Sequence, residues 1–103
     1  MPKYTLDMPS LEKTAPIIRV LSHPLRLRIL DFLETSNAPQ RVTEIVDASE
    51  GTQQAIVSQQ LKILRDNGIL SAERKGNCVY YSISDHRYLF FLDCIRNHNR
   101  VKI

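Results

Sequence analysis

The chain has 103 residues, 43% of them hydrophobic and 24% charged, which suits one globular core and leaves no room for two. Its formal charge of +3 is uneven: residues 1–52 carry six Lys/Arg against seven Asp/Glu, and residues 53–103 carry eight against four. An anionic partner is therefore expected for the C-terminal half. No apolar run approaches the ~20 residues of a membrane span, and the opening Met-Pro-Lys-Tyr lacks the layout of a secretory signal. Cys78 and Cys94 are too few and too far apart for a disulfide scaffold or a CxxC zinc site. The expectation is a cytoplasmic protein with free thiols, no cofactor and no membrane partner.

In chain order, residues 1–13 hold two prolines and little periodicity, and read as an arm or a short extra helix. Ile17, Ile18 and Leu21 form one helical stripe. Pro16 fits if Thr14 caps this helix and Pro16 lies in its first turn; a longer helix from Ser10, kinked at Pro16, is the alternative. His23-Pro24 starts a second helix, with Leu25, Ile29, Leu30, Phe32 and Leu33 as its apolar face to about Thr35. After the loop Ser36-Asn37-Ala38-Pro39, the residues Val42, Ile45 and Val46 make a short third helix, and Glu50-Gly51-Thr52 is a turn. From Gln53 the spacing of Val57, Leu61 and Leu64, with Ile56 and Ile63 beside them, marks a helix over residues 53–67, stopped by Gly68. The period then changes to two. Leu70 and Ala72 share one strand face, Val79, Tyr81 and Ile83 another, and Lys75-Gly76-Asn77 is hairpin chemistry. A last helix begins near Ser84 or Asp85 and carries Leu89, Leu92 and Ile95, with Phe91 adjacent. The expected fold is mainly α, a winged helix-turn-helix with about five helices and a two-stranded wing.

The short helix, the turn and the long helix form a helix-turn-helix, whose second helix enters the major groove of double-stranded DNA. That role needs one apolar face and one polar face poor in acids. Gln54, Ser58, Lys62 and Arg65 supply the polar face, flanked by Gln53 and Gln59, and no acid occurs between Gly51 and Arg65. Gln reads adenine, Ser reaches base or phosphate, and Lys and Arg suit guanine or phosphate. An isolated helix with these residues is simply a solvated surface; the turn before it is what gives the pattern meaning. The hairpin tip, with Arg74, Lys75 and Asn77, reads as a second DNA contact. A catalyst is not indicated, since the chain has no Gly-rich phosphate loop, no convergent Ser-His-Asp set and no paired carboxylates. The alternative is a winged-helix interaction module without DNA binding, in which the exposed face is usually apolar or acidic.

Four blocks in order carry a resemblance: Leu21-Ser-His-Pro-Leu-Arg-Leu-Arg-Ile-Leu30, Ile56-Val-Ser-Gln-Gln-Leu-Lys-Ile-Leu-Arg65, Asn67-Gly-Ile-Leu70 and Lys75-Gly-Asn-Cys-Val-Tyr-Tyr-Ser-Ile83. Over residues 14–98 the chain resembles the ArsR/SmtB family of bacterial repressors. The domain is accordingly expected at 14–98, with a tail at 99–103. The resemblance implies a homodimer joined through the first and last helices, here through Ile17, Ile18, Leu21, Leu89, Leu92 and Ile95. It implies an inverted-repeat operator released by an effector, which the sequence leaves unnamed. The family's metal sites transfer poorly. Residues 41–46 lack the Cys-x-Cys pair. At the second site Asp85 and His98 match, but Arg87 and Val101 stand where His and Glu are needed. Cys94 and His98, one helical turn apart, are weak candidates for a site completed by a two-fold axis. Cys78 and Cys94 are weak candidates for redox sensing, with Arg74 and Lys75 near Cys78 in sequence.

Overall fold

A computed structural model describes residues 3–100. Its helices are α1 (Met8–Leu21), α2 (Pro24–Ser36), α3 (Val42–Ala48), α4 (Gln54–Asp66) and α5 (Phe90–Arg100). Its strands are β1 (Gln40–Arg41), β2 (Leu70–Lys75) and β3 (Cys78–Ile83), ordered β1-β3-β2 in one antiparallel sheet. No helix among the described residues is long and apolar enough to cross a membrane.

Helix α1 starts seven residues earlier than a Thr14 cap requires. Asp7 caps it instead, its carboxylate accepting from the Ser10 N–H at 2.9 Å. The helix passes through Pro16, whose missing N–H leaves the Glu12 carbonyl without its intrahelical donor. Leu21 is its one buried residue, so most of α1 stands off the body of the protein. In α2 the His23 ring nitrogen Nδ1 accepts from the Leu25 N–H at 3.2 Å, and Pro24 fills the first turn, where no N–H is needed. Asn37 ends α2 in the left-handed region (φ 51°), its N–H reaching the Leu33 carbonyl.

The wing is a three-stranded sheet, one strand more than the sequence reading expects. Gln40 pairs with Tyr81 and Arg41 with Tyr80 before the chain turns into α3. The hairpin register joins Leu70 to Ile83, Ala72 to Tyr81 and Lys75 to Cys78, so Leu70, Ala72, Tyr81 and Ile83 share the inward face as expected. Its two-residue turn needs positive φ only at Gly76 (φ 64°), the requirement of a type II′ hairpin, and Asn77 does not adopt it.

Helix α5 begins at Phe90, five to six residues later than expected. Asp85 does not cap a helix; its carboxylate accepts from the backbone N–H of Arg87 at 3.0 Å and holds a turn. Tight turns from His86 to Leu89 and from Tyr88 to Phe91 then lead into the helix. Helix α5 runs through residues 99 and 100 of the tail expected at 99–103, and residues 101–103 lie outside the described residues.

The core joins Ile29, Leu30 and Leu33 of α2 to Ile45 of α3, Val57, Leu61 and Leu64 of α4, and Ile69 and Leu70 at the start of the wing. Leu21, Leu89 and Leu92 close it from α1 and the α5 end. Each such side chain contributes about 1.5–3 kcal/mol by leaving water. Together they fix α4 against α2 and α3 and leave its far side bare.

Candidate nucleic-acid interface

The geometry of α4 follows from its buried residues. Val57, Gln60, Leu61 and Leu64 face inward, and at 3.6 residues per turn the opposite side is centred on Ala55, Gln59, Lys62 and Asp66. Gln54, Ser58 and Arg65 lie on one flank of that side, all exposed. Gln53 is the N-cap residue with extended backbone (φ −64°, ψ 145°), and its carbonyl receives the first helical N–H groups, from Ile56 and Val57. The turn before it is held by Ser49, whose hydroxyl donates to the Ile45 carbonyl at 2.6 Å and whose own carbonyl accepts from the Thr52 hydroxyl at 2.8 Å. Glu50 and Gly51 both take positive φ, and so the chain reverses within a few residues. At the other end Gly68 (φ 75°) and the Ile69 N–H to Leu64 carbonyl bond stop the helix.

Two features of this face escape the sequence reading. Ile56, placed beside the apolar stripe from sequence, is 43% exposed because its position turns it away from Val57 and Leu61. Ala55 is exposed next to it. A helical wheel centred on the four inward residues would have found both. Asp66 also sits on the outward side, one residue past the acid-free stretch. Its carboxylate takes the Lys62 ammonium at 2.7 Å and lies 4.0 Å from Arg65. Lys62 holds that carboxyl below its ordinary range.

At the wing Arg74, Lys75 and Asn77 are exposed. Lys75 pairs with Cys78 and Arg74 with Val79, so the two cations leave opposite faces of the hairpin. The Lys75 ammonium stands 6.0 Å from the centre of the Tyr80 ring, at the edge of cation–π range. Among the described residues neither Arg74 nor Lys75 belongs to an ion pair. The structure thus brings the nominated residues together as one basic, amide-rich helix face followed by a basic hairpin tip.

A family model described as a helix-turn-helix domain matches residues 21–71. The HTH-type transcriptional regulator NmtR of Mycobacterium tuberculosis is 35% identical over 92 residues, spanning 89% of this chain and 74% of NmtR. The HTH-type transcriptional repressor SmtB of the same organism is 37% identical over 76 residues, 74% of this chain and 54% of that relative. The crystal structure of the AntR antimony-specific transcriptional repressor superimposes with a TM-score of 0.77 at 30% identity, covering 97% of this chain and 92% of AntR. The chain belongs to the ArsR/SmtB family. It is a DNA-binding transcription regulator with a winged helix-turn-helix fold, among relatives named as HTH-type transcriptional regulators and repressors.

In this ArsR/SmtB regulator the residues nominated for a dimer separate into two sets. Ile18 and Ile95 are each 42% exposed, and Ile17 is half-buried. Leu21, Leu89 and Leu92 are 4%, 7% and 5% exposed within a single chain. Those three belong to the chain's own core, Leu21 from the end of α1 and Leu89 and Leu92 from the start of α5 and the turn before it. The bare apolar surface instead includes Leu11 and Phe90, which the sequence reading left out. Phe90 stacks on Phe91 with ring centres 4.3 Å apart, and Ile18, Leu21, Leu27, Phe91 and Ile95 line a cleft of about 200 Å³ between α1 and α5.

The thiols and metal candidates are also placed. Asp85 and His98 do not share a helix, because α5 starts at Phe90. Arg87 grips Asp85 through Nε at 3.0 Å and a terminal nitrogen at 2.8 Å, drawing its carboxyl down to about 2. Val101 lies outside the described residues. Cys94 and His98 are both exposed on α5, and no group of three potential metal ligands occurs among the described residues. Cys78 is half-buried on the outer face of the wing, with Lys75 opposite it in register. The nearby cation that sequence proximity missed is Arg41, whose guanidinium is held above its ordinary value first by Glu44 and then by the Cys78 side chain. Only the β1–β3 pairing brings Arg41 there.

Proposed function

We propose that this regulator is a homodimeric cytoplasmic repressor that occupies an inverted-repeat operator and is released by an effector. One observation carries the reading: the bare side of α4 is polar and cationic, and a basic hairpin tip, without an ion pair among the described residues, follows it. In this scheme Gln54, Ser58, Gln59 and Lys62 read base edges. Gln53 and Arg65 support them, and Arg74, Lys75 and Asn77 grip the phosphate backbone. Two copies joined through the exposed parts of α1 and α5, with Ile18, Ile95, Leu11 and Phe90 covered, would set two reading helices about 34 Å apart, one turn of DNA. Occupancy of the operator alone blocks transcription in this scheme. The apolar cleft and the exposed Cys94–His98 pair lie on the surface such a dimer would cover, so an effector acting there would change the spacing of the two reading helices.

The test is selection of duplexes from a random pool by the purified chain, followed by affinity measurement at several salt concentrations. The expected result is a two-fold symmetric consensus whose affinity falls steeply with salt. A chain that enriches no sequence, or binds its best sequence without salt dependence, would overturn the reading.

A further inference from the structure

We propose that Arg26 is a positioning residue for DNA reading, a guanidinium clamp that fixes the rotation of α4 by joining Gln60 to the C-terminal end of α1. Gln60 is the one polar residue on the inward side of α4, 8% exposed among Val57, Leu61 and Leu64. An apolar side chain would pack there at lower cost, because a buried amide needs a partner. Its Oε1 accepts from Arg26 Nε at 2.7 Å. A terminal nitrogen of the same guanidinium donates to the Val20 carbonyl at 3.0 Å. That carbonyl is among the last four of α1, which have no donor within the helix, and the end of a helix dipole favours a cation. Arg26 makes no ion pair among the described residues, so these two acceptors are the charge's recorded partners.

The planar fork of Arg26 therefore has two ends set by two different helices. Apolar contacts along Val57, Leu61 and Leu64 hold α4 against the core but tolerate small rotations. A hydrogen bond to Gln60 does not, since its strength falls steeply with angle. Rotation of α4 moves Gln54, Ser58 and Gln59 relative to base edges while leaving phosphates within reach of flexible Lys and Arg side chains. Loss of the clamp should therefore damage sequence preference more than affinity. Because the other end of the fork is on α1, a shift of α1 reaches the reading helix through one side chain.

The inference rests on the DNA-reading role proposed above, and the experiment separates the two. The full chain is first used to select a preferred duplex; preference is then the affinity ratio of that duplex to a scrambled one. Gln60→Met and Arg26→Met should each lower preference about tenfold, the scale of one charge-assisted hydrogen bond. Affinity for scrambled duplex should stay within about twofold. The double variant should be no worse than the poorer single, because one bond is lost either way. Gln60→Glu, which keeps the acceptor, should retain preference within about threefold. Melting temperatures are recorded for all variants. If Arg26→Met does not fold, Gln60→Met, which keeps side-chain length and helix propensity, still decides. Variants that melt lower but keep full preference would reduce the clamp to a structural bond and overturn the proposal, as would losses that multiply in the double variant. A wild-type chain that selects no sequence would overturn the DNA reading and the clamp together.

Discussion

Replacing Lys75 by Ala tests the wing most directly, because the expected change is a slope. Each protomer offers Lys62, Arg65, Arg74 and Lys75, but the Asp66 carboxylate, 2.7 Å from Lys62 and 4.0 Å from Arg65, offsets about one of these charges. The proposed dimer then neutralises about six phosphates, and log affinity should fall with log salt at a slope near −5. Between 50 and 200 mM salt this is a loss of about 10³-fold. Lys75→Ala removes one exposed, unpaired cation per protomer, so the slope should relax by about 1.8 and the loss should shrink to roughly 150-fold. Fluorescence anisotropy on one selected duplex and one scrambled duplex, at four or more salt concentrations, measures both. The relaxation should be the same on both duplexes, since a phosphate contact carries no sequence information. An unchanged slope would mean that the wing does not lie on the backbone. A change confined to the selected duplex would mean that Lys75 reads a base.

The remaining substitutions probe charge, interface and packing. Asp66→Asn releases Lys62 and removes an anion from the outward side of α4, so affinity should rise and the salt slope steepen by up to about 1.8 per dimer; weaker binding would show that Asp66 accepts a hydrogen bond from DNA. Ile95→Glu should leave the fold intact and dissociate the dimer at micromolar concentration in sedimentation, whereas Leu92→Glu puts a charge in the protomer core and should cost more than about 4 kcal/mol. A folded Leu92→Glu chain, or a dimeric Ile95→Glu chain, would contradict that division. The Asp85 carboxyl titrates at about 2 in the folded chain against an ordinary 3.8, chiefly because of its hydrogen bond from Arg87. Its stabilisation is therefore complete above about pH 4 and is lost as pH falls towards 2, and Asp85→Asn should flatten the melting temperature across that window. Arg96→Met removes a cation bonded to Asp31 at 2.6 Å, Glu34 at 2.8 Å and Asp93 at 2.9 Å. Half-exposed pairs screen well, so the loss should be about 1–2 kcal/mol in dilute buffer and smaller in 0.5 M salt. A loss that does not vary with salt would assign Arg96 to packing.

The elements legible in the sequence are those whose ends are local. His23-Pro24 starts α2, Gly68 stops α4, and Gly76 makes the hairpin turn, each by backbone chemistry within two or three residues. The elements misread are set by distant partners or by competition between nearby ones. Two-residue β1 has no period of its own and exists because β3 offers an unpaired edge. At the N-terminus, the sequence offers starts at Thr14 and at Ser10, and the hydrogen bond of the Asp7 carboxylate to the Ser10 N–H places the cap earlier than either. At Asp85 the same kind of local bond acts the other way, holding a turn that delays α5 by about one and a half helical turns. The outward side of α4 was legible from spacing, because Val57, Leu61 and Leu64 fix the inward direction. The partner of Gln60 was not, since Arg26 lies 34 residues away and only the packing of α2 on α4 joins them.

The stripe Leu89, Leu92 and Ile95 shows why periodicity alone cannot separate a core from an interface. All three are apolar at helical spacing, yet the first two are buried in the protomer and the third is bare. What divides them is α2. Its Ile29, Leu30 and Leu33 form the centre of the core, and its Asp31 and Glu34 hold Arg96 and so fix which side of α5 turns inward. The same helix carries Arg26, whose bonds run to α1 and α4. One helix thus sets the orientation of α1 and α5, which carry Ile18 and Ile95, and of α4 with its polar outward side. The bare surface of α1 and α5 is therefore tied in geometry to the bare surface of α4 even though the two are chemically opposite. In a dimer covering the former, the spacing of the two reading helices would follow from how α2 holds its neighbours.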